Sequence, residues 1–319
     1  MKFKEFYELV VKNGIENDPR GSKEISRQLE EVKKSYQKLS EKEKKYFDKD
    51  SLFNPFYDTR ILSGSLQKEI KKILAGIDID TSELLLADTL NKRGEKIDLV
   101  LSHHPMGKAL VQFYGVMDLQ VDVFAQQGVS LSASENLLLQ RKGEVERKIS
   151  AANFSKTRDA ALLLNLSTMC MHTPADNLAY NFLKQLFLKH RPKVLGDIID
   201  ALLEIPEYQY SASENCPPKI INGRKSSRVK KLHYEFTGGT EGPKEIYQKL
   251  SNSGVDTIIA MHLSEQHFQA AKEANLNIVM AGHIASDNLG VNCLLDKIQA
   301  KHKFEVLSCS GFKRFSHAK

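Results

Sequence analysis

Short apolar runs alternate with amphipathic stretches along much of the chain. Residues 73–79 form an apolar run of the length expected for a buried strand. The next four residues, Asp80-Thr81-Ser82-Glu83, have the pattern of a helix N-terminus, and apolar positions follow at helical spacing up to Leu90. Residues 97–101 predict a second strand. A strand, a helix and a strand in succession indicate an α/β sheet.

The same alternation returns towards the C-terminus. It predicts strands over residues 229–236, 255–260 and 277–280, helices over 242–252, 264–274 and 288–302, and a last strand over 304–307 that closes this sheet. The middle, residues 117–205, is predicted to be mainly helical, with apolar-rich helices over 119–139 and 157–169. Prolines and glycines between residues 204 and 224 predict a loop at the boundary between two halves.

The first fifty residues have a different character. Ile25, Leu29 and Val32 recur at helical spacing among Lys and Glu residues, and Asn54-Pro55 ends the pattern. We therefore predict a helical N-terminal extension over residues 1–50, a first α/β lobe with a helical middle over 51–205, and a second α/β lobe over 206–319. No internal sequence repeat or low-complexity tract is detected.

Composition and charge limit the classes of protein. The chain has 319 residues, of which 41% are hydrophobic, which is ample for one large domain or two lobes. The formal net charge of +6 is mild, and the basic runs at residues 33–45 and 224–231 are expected to be solvated surfaces rather than nucleic-acid contacts. The N-terminus lacks a signal-peptide pattern, no apolar run is long enough to span a bilayer, and no Cys-x-x-Cys pair occurs. These features favour a cytoplasmic location with reduced thiols.

Three segments carry candidate metal ligands. His103-His104-Pro105 directly follows a predicted buried strand, where α/β sheets bind ligands. Both rings reach one site only if the backbone turns out of the pleat there; otherwise one ring is buried and the other exposed. Asp176 lies in His172-Thr173-Pro174-Ala175-Asp176, which is also typical of a helix cap and its third-position acid.

The third segment, residues 281–288, again lies between a strand and a helix. His283 and Asp287 are four residues apart, so one helical turn places them on one side, although Asp287 alone is also compatible with a helix cap. A mixed set of histidines and carboxylates suits zinc, manganese, iron or cobalt. The sequence therefore predicts a divalent-metal site drawn from three separate segments.

In order and spacing, these motifs resemble the NIF-three-like family (NGG-one interacting factor three), whose members are often labelled GTP cyclohydrolase I type 2 homologues. The resemblance covers roughly residues 57–308 and includes Gly238-Gly239 followed by a helix and a strand at Val255-Asp256. Asp287 stands where the family usually has Glu, and Met261-His262 falls where it often has Gly followed by an acid.

The resemblance implies an α/β fold of two similar lobes with mixed sheets flanked by helices, and a ring-shaped homohexamer. It also implies a dinuclear metal centre, in which His103 and His104 each bind one ion, Asp176 bridges the two, and His283 and Asp287 complete the set. The function expected from such a centre is metal-dependent hydrolysis of an unknown small-molecule substrate, with two divalent ions per chain. His262, His267 or Glu265 is a candidate for proton transfer, although all three also fit a polar helix start. The alternative function is a metal-binding scaffold or regulatory protein without turnover.

Overall fold

The protein contains two mixed β-sheets flanked by helices, which confirms the α/β fold with two similar lobes and a helical N-terminal extension. The computed structural model describes residues 1–318. The first sheet has the strand order β1-β4-β3-β2-β9, and the second has the order β5-β8-β7-β6. The strands are β1 (Arg60–Ser63), β2 (Lys72–Gly76), β3 (Leu99–Ser102), β4 (Thr168–Cys170), β5 (Lys219–Asn222), β6 (Leu232–Glu235), β7 (Thr257–Ala260), β8 (Asn277–Met280) and β9 (Glu305–Ser308).

Helices cover both sheets and include three in the N-terminal extension. In chain order they are α1 (Phe3–Glu16), α2 (Ser22–Lys38), α3 (Glu41–Lys44), α4 (Thr81–Lys92), α5 (Lys108–Val111), α6 (Leu119–Gln126), α7 (Leu131–Ser150), α8 (Lys156–Leu163), α9 (Thr173–His190), α10 (Leu195–Leu202), α11 (Pro206–Ser213), α12 (Ile246–Asn252), α13 (Glu265–Glu273) and α14 (His283–Gln299). Among residues 1–318, none of the helices has the length and apolar composition needed to cross a bilayer.

The two sheets repeat one topology. In the first, β1 is antiparallel to β4, while β4, β3 and β2 are parallel; β5, β8, β7 and β6 have the same relations in the second. The same side-chain contact precedes both central strands. The Asp98 carboxylate accepts the backbone N–H groups of Lys71 and Lys72, and that of Asp256 accepts those of Lys230 and Lys231. The lobes are therefore structural repeats, although no sequence repeat is detected.

The N-terminal extension is helical, as predicted, and its first helix belongs to the core. Phe3, Phe6 and Val10 of α1 are fully buried, and α1 packs against α9 and α14. The apolar face of α1 therefore covers the two helices that carry candidate metal ligands.

Several predicted elements differ from the structure. The helix predicted over 119–139 is two helices, α6 and α7, separated at residues 127–130, where Gly128 has a φ of 90°. The helix predicted over 157–169 ends at Leu163, because Asn165 adopts a left-handed conformation (φ 52°), and β4 follows at residues 168–170. The predicted loop over 204–224 contains α11 and β5. The sequence predicts the strand near residues 304–307 in the second lobe, whereas β9 pairs with β2 of the first sheet because α14 leads the chain back to it.

Helices α9 and α14 pack closely against each other. Gly290 of α14 has no side chain at their crossing, and a Cβ atom built there would meet the backbone carbonyl of Ala175 in α9. Each helix follows the parallel strand next to the antiparallel edge of its own sheet, α9 after β4 and α14 after β8. The N-termini of the two helices consequently carry ligands from both lobes to one place.

Candidate metal centre

The end of β3 brings His103 and His104 to the same side of the sheet. The backbone N–H of His103 donates to Gly76 O (2.9 Å) and that of His104 to Ile77 O (2.9 Å), so the chain stays attached to β2 after the strand has ended. The Ser102 hydroxyl donates to His104 O at 2.8 Å and closes a turn. The two ring centroids are 5.2 Å apart. The backbone thus leaves the pleat at this position, as a shared site requires.

The N-termini of α9 and α14 supply the remaining groups. Each has the sequence His-x-x-x-Asp, with His172 and Asp176 in one and His283 and Asp287 in the other. The Nε2 atom of each histidine lies near its own aspartate, at 3.7 Å in the first pair and 3.5 Å in the second. One helical turn therefore places each pair on a common face, as the spacing of His283 and Asp287 predicts.

Asp287 lies at the centre of the cluster. Its Oδ1 atom is 3.5 Å from His103 Nε2, and its Oδ2 atom is 3.4 Å from His104 Nε2. Asp176 approaches from the other side, with Oδ1 at 3.5 Å from His103 Nε2. Each oxygen of Asp287 thus faces a different histidine, while Asp176 lies between His103 and His172.

Three of the histidines are oriented by groups outside the cluster. His172 Nδ1 lies 2.9 Å from Asp58 Oδ2, His104 Nδ1 lies 2.7 Å from Asp78 Oδ1, and His103 Nδ1 lies 3.1 Å from Met171 O. Because carboxylate and carbonyl oxygens only accept hydrogen bonds, Nδ1 carries the proton in each neutral ring. Each Nε2 atom then has a free lone pair, as in proteins whose metal-bound histidines are fixed by a carboxylate or carbonyl.

Several buried atoms of the cluster lack a hydrogen-bond partner among residues 1–318. They are His103 Nε2 and both carboxylate oxygens of Asp287, in side chains that are at most 1% exposed. An unsatisfied buried polar atom costs free energy, and a buried carboxylate costs more. A cation coordinated by these atoms would remove that cost. The residues therefore fit a divalent metal ion.

The ligand atoms form three overlapping groups that are close enough to hold an ion. Within each group, all ligand atoms lie within 4.8 Å of one another. Nitrogen and carboxylate oxygen without thiolate match zinc, manganese, iron or cobalt. The groups are His103, His104 and His172; His104, His283 and Asp287; and His103, Asp176 and Asp287.

Burial and the attraction between the carboxylates and the histidines have opposing effects on the pKa values of these residues. Burial raises the pKa of Asp176 to about 6 despite the nearby His172 and His103. Burial alone would raise the pKa of Asp287 as well, but His103 and His104 hold it well below its usual value. Burial lowers the pKa of His283 to about 4, so its ring is neutral near pH 7 and suited to coordination.

All five residues predicted as metal ligands therefore lie together. His172 joins them and was not predicted as a ligand, although the same His-x-x-x-Asp spacing at residues 283–287 was a signal that could have found it.

Of the candidates for proton transfer, only His262 is beside the cluster. Its ring centroid is 4.6 Å from that of His283, and its side chain is 46% exposed. His262 follows β7 at the position that His104 occupies after β3. Glu265 is exposed on α13, where it accepts from Gln269, and the structure does not bring it to the cluster. His267 is held by Ser264 and the carbonyl of Gly242.

A cleft extends from the cluster into the second lobe. Its free volume, including the part open to solvent, is about 650 Å³. The cluster forms one end through His172, Asp176, His283 and Asp287, and His262 lies on the wall. A small molecule in this cleft would therefore reach both the candidate ligands and His262.

The fold and the cluster together define a two-lobed α/β protein with a possible His/Asp metal-binding site at the meeting of its lobes. The chain is similar in structure to a NIF3 superfamily protein from Sphaerobacter thermophilus, with a TM-score of 0.69 and 25% identity over 80% of this chain and 91% of that one. It also shares its fold with reduced HcgD from Methanocaldococcus jannaschii, with a TM-score of 0.51 and 14% identity over 79% of this chain and 88% of that one. No protein-family model and no curated protein matches the sequence. The likeness to a NIF3 superfamily structure over most of the chain confirms the resemblance to the NIF3-like family found from its motifs.

Proposed function

We propose that this chain is a metal-dependent hydrolase that holds two divalent ions in the His/Asp cluster. The observation that carries the proposal is the hydrogen bonding of the histidine nitrogens and the carboxylate oxygens. Three histidines have Nδ1 held by fixed acceptors and Nε2 free, and two of them, His103 and His104, face the two unpaired oxygens of a buried carboxylate. Histidines that bind a metal are typically held in position in this way, by hydrogen bonds from the other ring nitrogen to groups that do not touch the metal.

The overlapping groups suggest how two ions would be shared. His103, Asp176 and Asp287 Oδ1 would hold one ion, and His104, His283 and Asp287 Oδ2 would hold the other. The bridging role that the resemblance gave to Asp176 is therefore proposed here for Asp287, whose two oxygens face the two groups. His172 would orient Asp176 or add a further nitrogen.

Bound divalent ions would supply Lewis-acid chemistry and activate water for attack on a carbonyl or phosphoryl group. The chain itself would position the substrate and move protons. His262 Nδ1 lies 3.7 Å from Glu241 Oε1, and Glu241 is fixed by the backbone N–H of Ser264. His262, oriented by Glu241, would donate a proton to the leaving group from the wall of the cleft.

The test of this function is metal content together with turnover. Elemental analysis should give close to two divalent ions per chain. The loaded protein should hydrolyse p-nitrophenyl acetate, or a panel of cyclic amides and phosphoesters, faster than the same free metal does. A chain with two ions and no turnover on any of these would support the alternative of a metal-binding scaffold. A purified chain that binds no metal would contradict both functions.

The role of His262 has its own test. In a substrate that the loaded protein hydrolyses, His262→Ala should lower kcat by about 10²–10⁴-fold, the usual contribution of a positioned acid or base. Metal content should stay at the wild-type value because His262 is not among the grouped ligands. Glu265→Ala is the matched control, since that exposed carboxylate lies outside the cleft. Equal activity in the two variants would exclude His262 from proton transfer.

We also propose that the chain forms a homo-oligomer, and a hexamer in particular. The proposal is supported only by the family resemblance. Multi-angle light scattering of the purified chain at micromolar concentration should give about six times the mass of one chain, which is 36.0 kDa. A monomeric mass would contradict it.

A further inference from the structure

The half of the cleft that lies away from the metal cluster has a polar wall contributed by α6 and by the loops after β6. Gln120 of α6 donates from Nε2 to Gly238 O (3.0 Å) and to Thr240 O (2.6 Å), which ties α6 to the glycine-containing loop. Both donors of its amide are thereby used. Only the acceptor Oε1 remains, and it has no hydrogen-bond partner within residues 1–318.

His233 adds a second unpaired group to this wall. The residue is 1% exposed, packs against Phe124 with ring centroids 5.8 Å apart, and has no partner for either ring nitrogen among the described residues. Burial lowers the pKa of His233 to about 3, so the ring is neutral and presents one donor and one acceptor. Buried polar atoms are rarely left unpaired, which indicates that a ligand or solvent completes the wall.

The charge of the cleft is one-sided. Glu235 and Glu241 line it, whereas the described residues that line it include no Lys or Arg. Among the described residues, Glu235 accepts one side-chain hydrogen bond, from the Tyr247 hydroxyl at 3.2 Å, and the basic group beside it is the neutral ring of His233, whose Nε2 lies 3.7 Å from Oε1. Glu241 faces two histidines, His262 at 3.7 Å and His267 at 3.3 Å. An anionic group placed in this half of the cleft would therefore meet one carboxyl group, Glu235, without a neighbouring cation, and a second, Glu241, beside two titratable bases.

We propose that the second-lobe half of the cleft is the substrate-selecting part of the site, and that it binds uncharged or cationic ring compounds bearing N–H groups, such as cyclic amides, ureas and guanidines, in preference to anions. The inference rests on the proposed function, because it assigns the substrate class of the same site. N–H groups of such a ring match the acceptors offered by Gln120, Glu235 and Glu241. The carbonyl or imino carbon of the ring would then point towards the metal cluster.

Three six-membered rings with N–H groups and different charges test this selection. They are 2-amino-1,4,5,6-tetrahydropyrimidine, which is a cation, tetrahydro-2-pyrimidinone, which is neutral, and barbiturate, which is an anion. Binding to the full chain is measured by calorimetry, both metal-loaded and metal-depleted. Burial raises the pKa of Glu235 to about 7, so the measurement is made near pH 8.5, where this carboxyl is ionised.

In the metal-depleted chain, where an anion cannot coordinate metal, the cation should bind at least as tightly as the neutral ring, and the anion about tenfold or more weakly. Glu235→Gln keeps an oxygen that accepts from Tyr247 and removes the charge. This substitution should weaken binding of the cation about fivefold to tenfold and change the affinity for the neutral ring by less than about twofold. Glu241→Gln should act in the same direction. Glu245→Gln is the matched control, because Glu245 is exposed and lies outside the cleft, and it should change the affinity for neither ring.

The proposal is overturned if the anion binds the metal-depleted chain as tightly as the neutral ring, if the cation-to-neutral ratio is the same in Glu235→Gln and Glu245→Gln, or if none of the rings binds. Binding is read without turnover. A chain that selects these rings but hydrolyses nothing would therefore contradict the hydrolase function and leave the selectivity standing. A chain that hydrolyses phosphoesters but does not bind the rings would support the hydrolase function and contradict the selectivity.

Discussion

Replacing Asp287 with asparagine is expected to remove both metal ions from most chains. Asparagine keeps the shape but offers one neutral oxygen, and its NH₂ group would face either His103 or His104, whose Nε2 atoms lie 3.5 and 3.4 Å from the carboxylate. The loss of affinity should exceed the roughly 10–100-fold that follows removal of an outer-shell partner. Elemental analysis after dialysis measures the effect, and hydrolytic activity should fall with it.

The stability of the metal-free protein separates this role from a structural one. Among the described residues no donor pairs with either oxygen of buried Asp287, which destabilises the carboxylate, whereas its attraction to His103 and His104 stabilises it. Because these effects oppose each other, Asp287→Asn should unfold in the metal-free state at a temperature close to, or a little below, that of the metal-free wild type. Asp200→Asn on the exposed surface of α10 is the control for loss of one negative charge. Asp176→Asn is expected to lose one ion rather than two. An Asp287→Asn chain that retains two ions would show that the bridge is another residue.

The substitution Gly290→Ala should damage both the fold and the metal cluster. The added Cβ would overlap the backbone carbonyl of Ala175, with the carbonyl carbon only 2.8 Å away, and a backbone atom cannot move aside as a side chain can. The helices α9 and α14 must therefore separate, at a cost of about 1–3 kcal/mol or more. Asp176 and Asp287 lie within one turn of the crossing, so their carboxylates should move apart as well.

Thermal unfolding of the metal-free chain and metal content measure the two effects of Gly290→Ala. A suitable control is Gly143→Ala in α7, where the added methyl meets only the end of the flexible Arg147 side chain. That change should be neutral or stabilise the protein by up to about 1 kcal/mol, because alanine favours helix more than glycine does. If Gly290→Ala has the same melting temperature and metal content as Gly143→Ala, the close crossing does not hold the cluster together.

The parts of the site that the sequence predicts are those encoded by local patterns. His103 and His104 follow an apolar run, and His283 and Asp287 have helical spacing, so strand ends and one helical turn sufficed to place them. The sequence does not single out His172, because the helix start at Thr173-Pro174 is enough to account for its segment.

The outer partners and the cleft depend on contacts between distant segments. Asp58 reaches His172 across a sequence separation of 114 residues, and Asp78 reaches His104 across 26. Neither carboxylate belongs to a motif around its own position. The pairing of Gln120 with the loop at residues 238–240 likewise depends on how the two lobes meet. Local periodicity contains no information about such contacts, and this is also why β9 was assigned to the wrong sheet.

The position of β9 has a consequence for how the polypeptide acquires its structure during synthesis. β2 pairs with β3 on one side and with β9 on the other, and the partner residues Ile73 and Val306 lie at opposite ends of the sequence. While the ribosome is still translating the second lobe, one edge of β2 has no partner, and unpaired strand edges favour aggregation. The N-terminal half therefore emerges with an open edge that only the last strand closes, so translation pauses before residue 305 should increase the demand for chaperones that shield nascent chains.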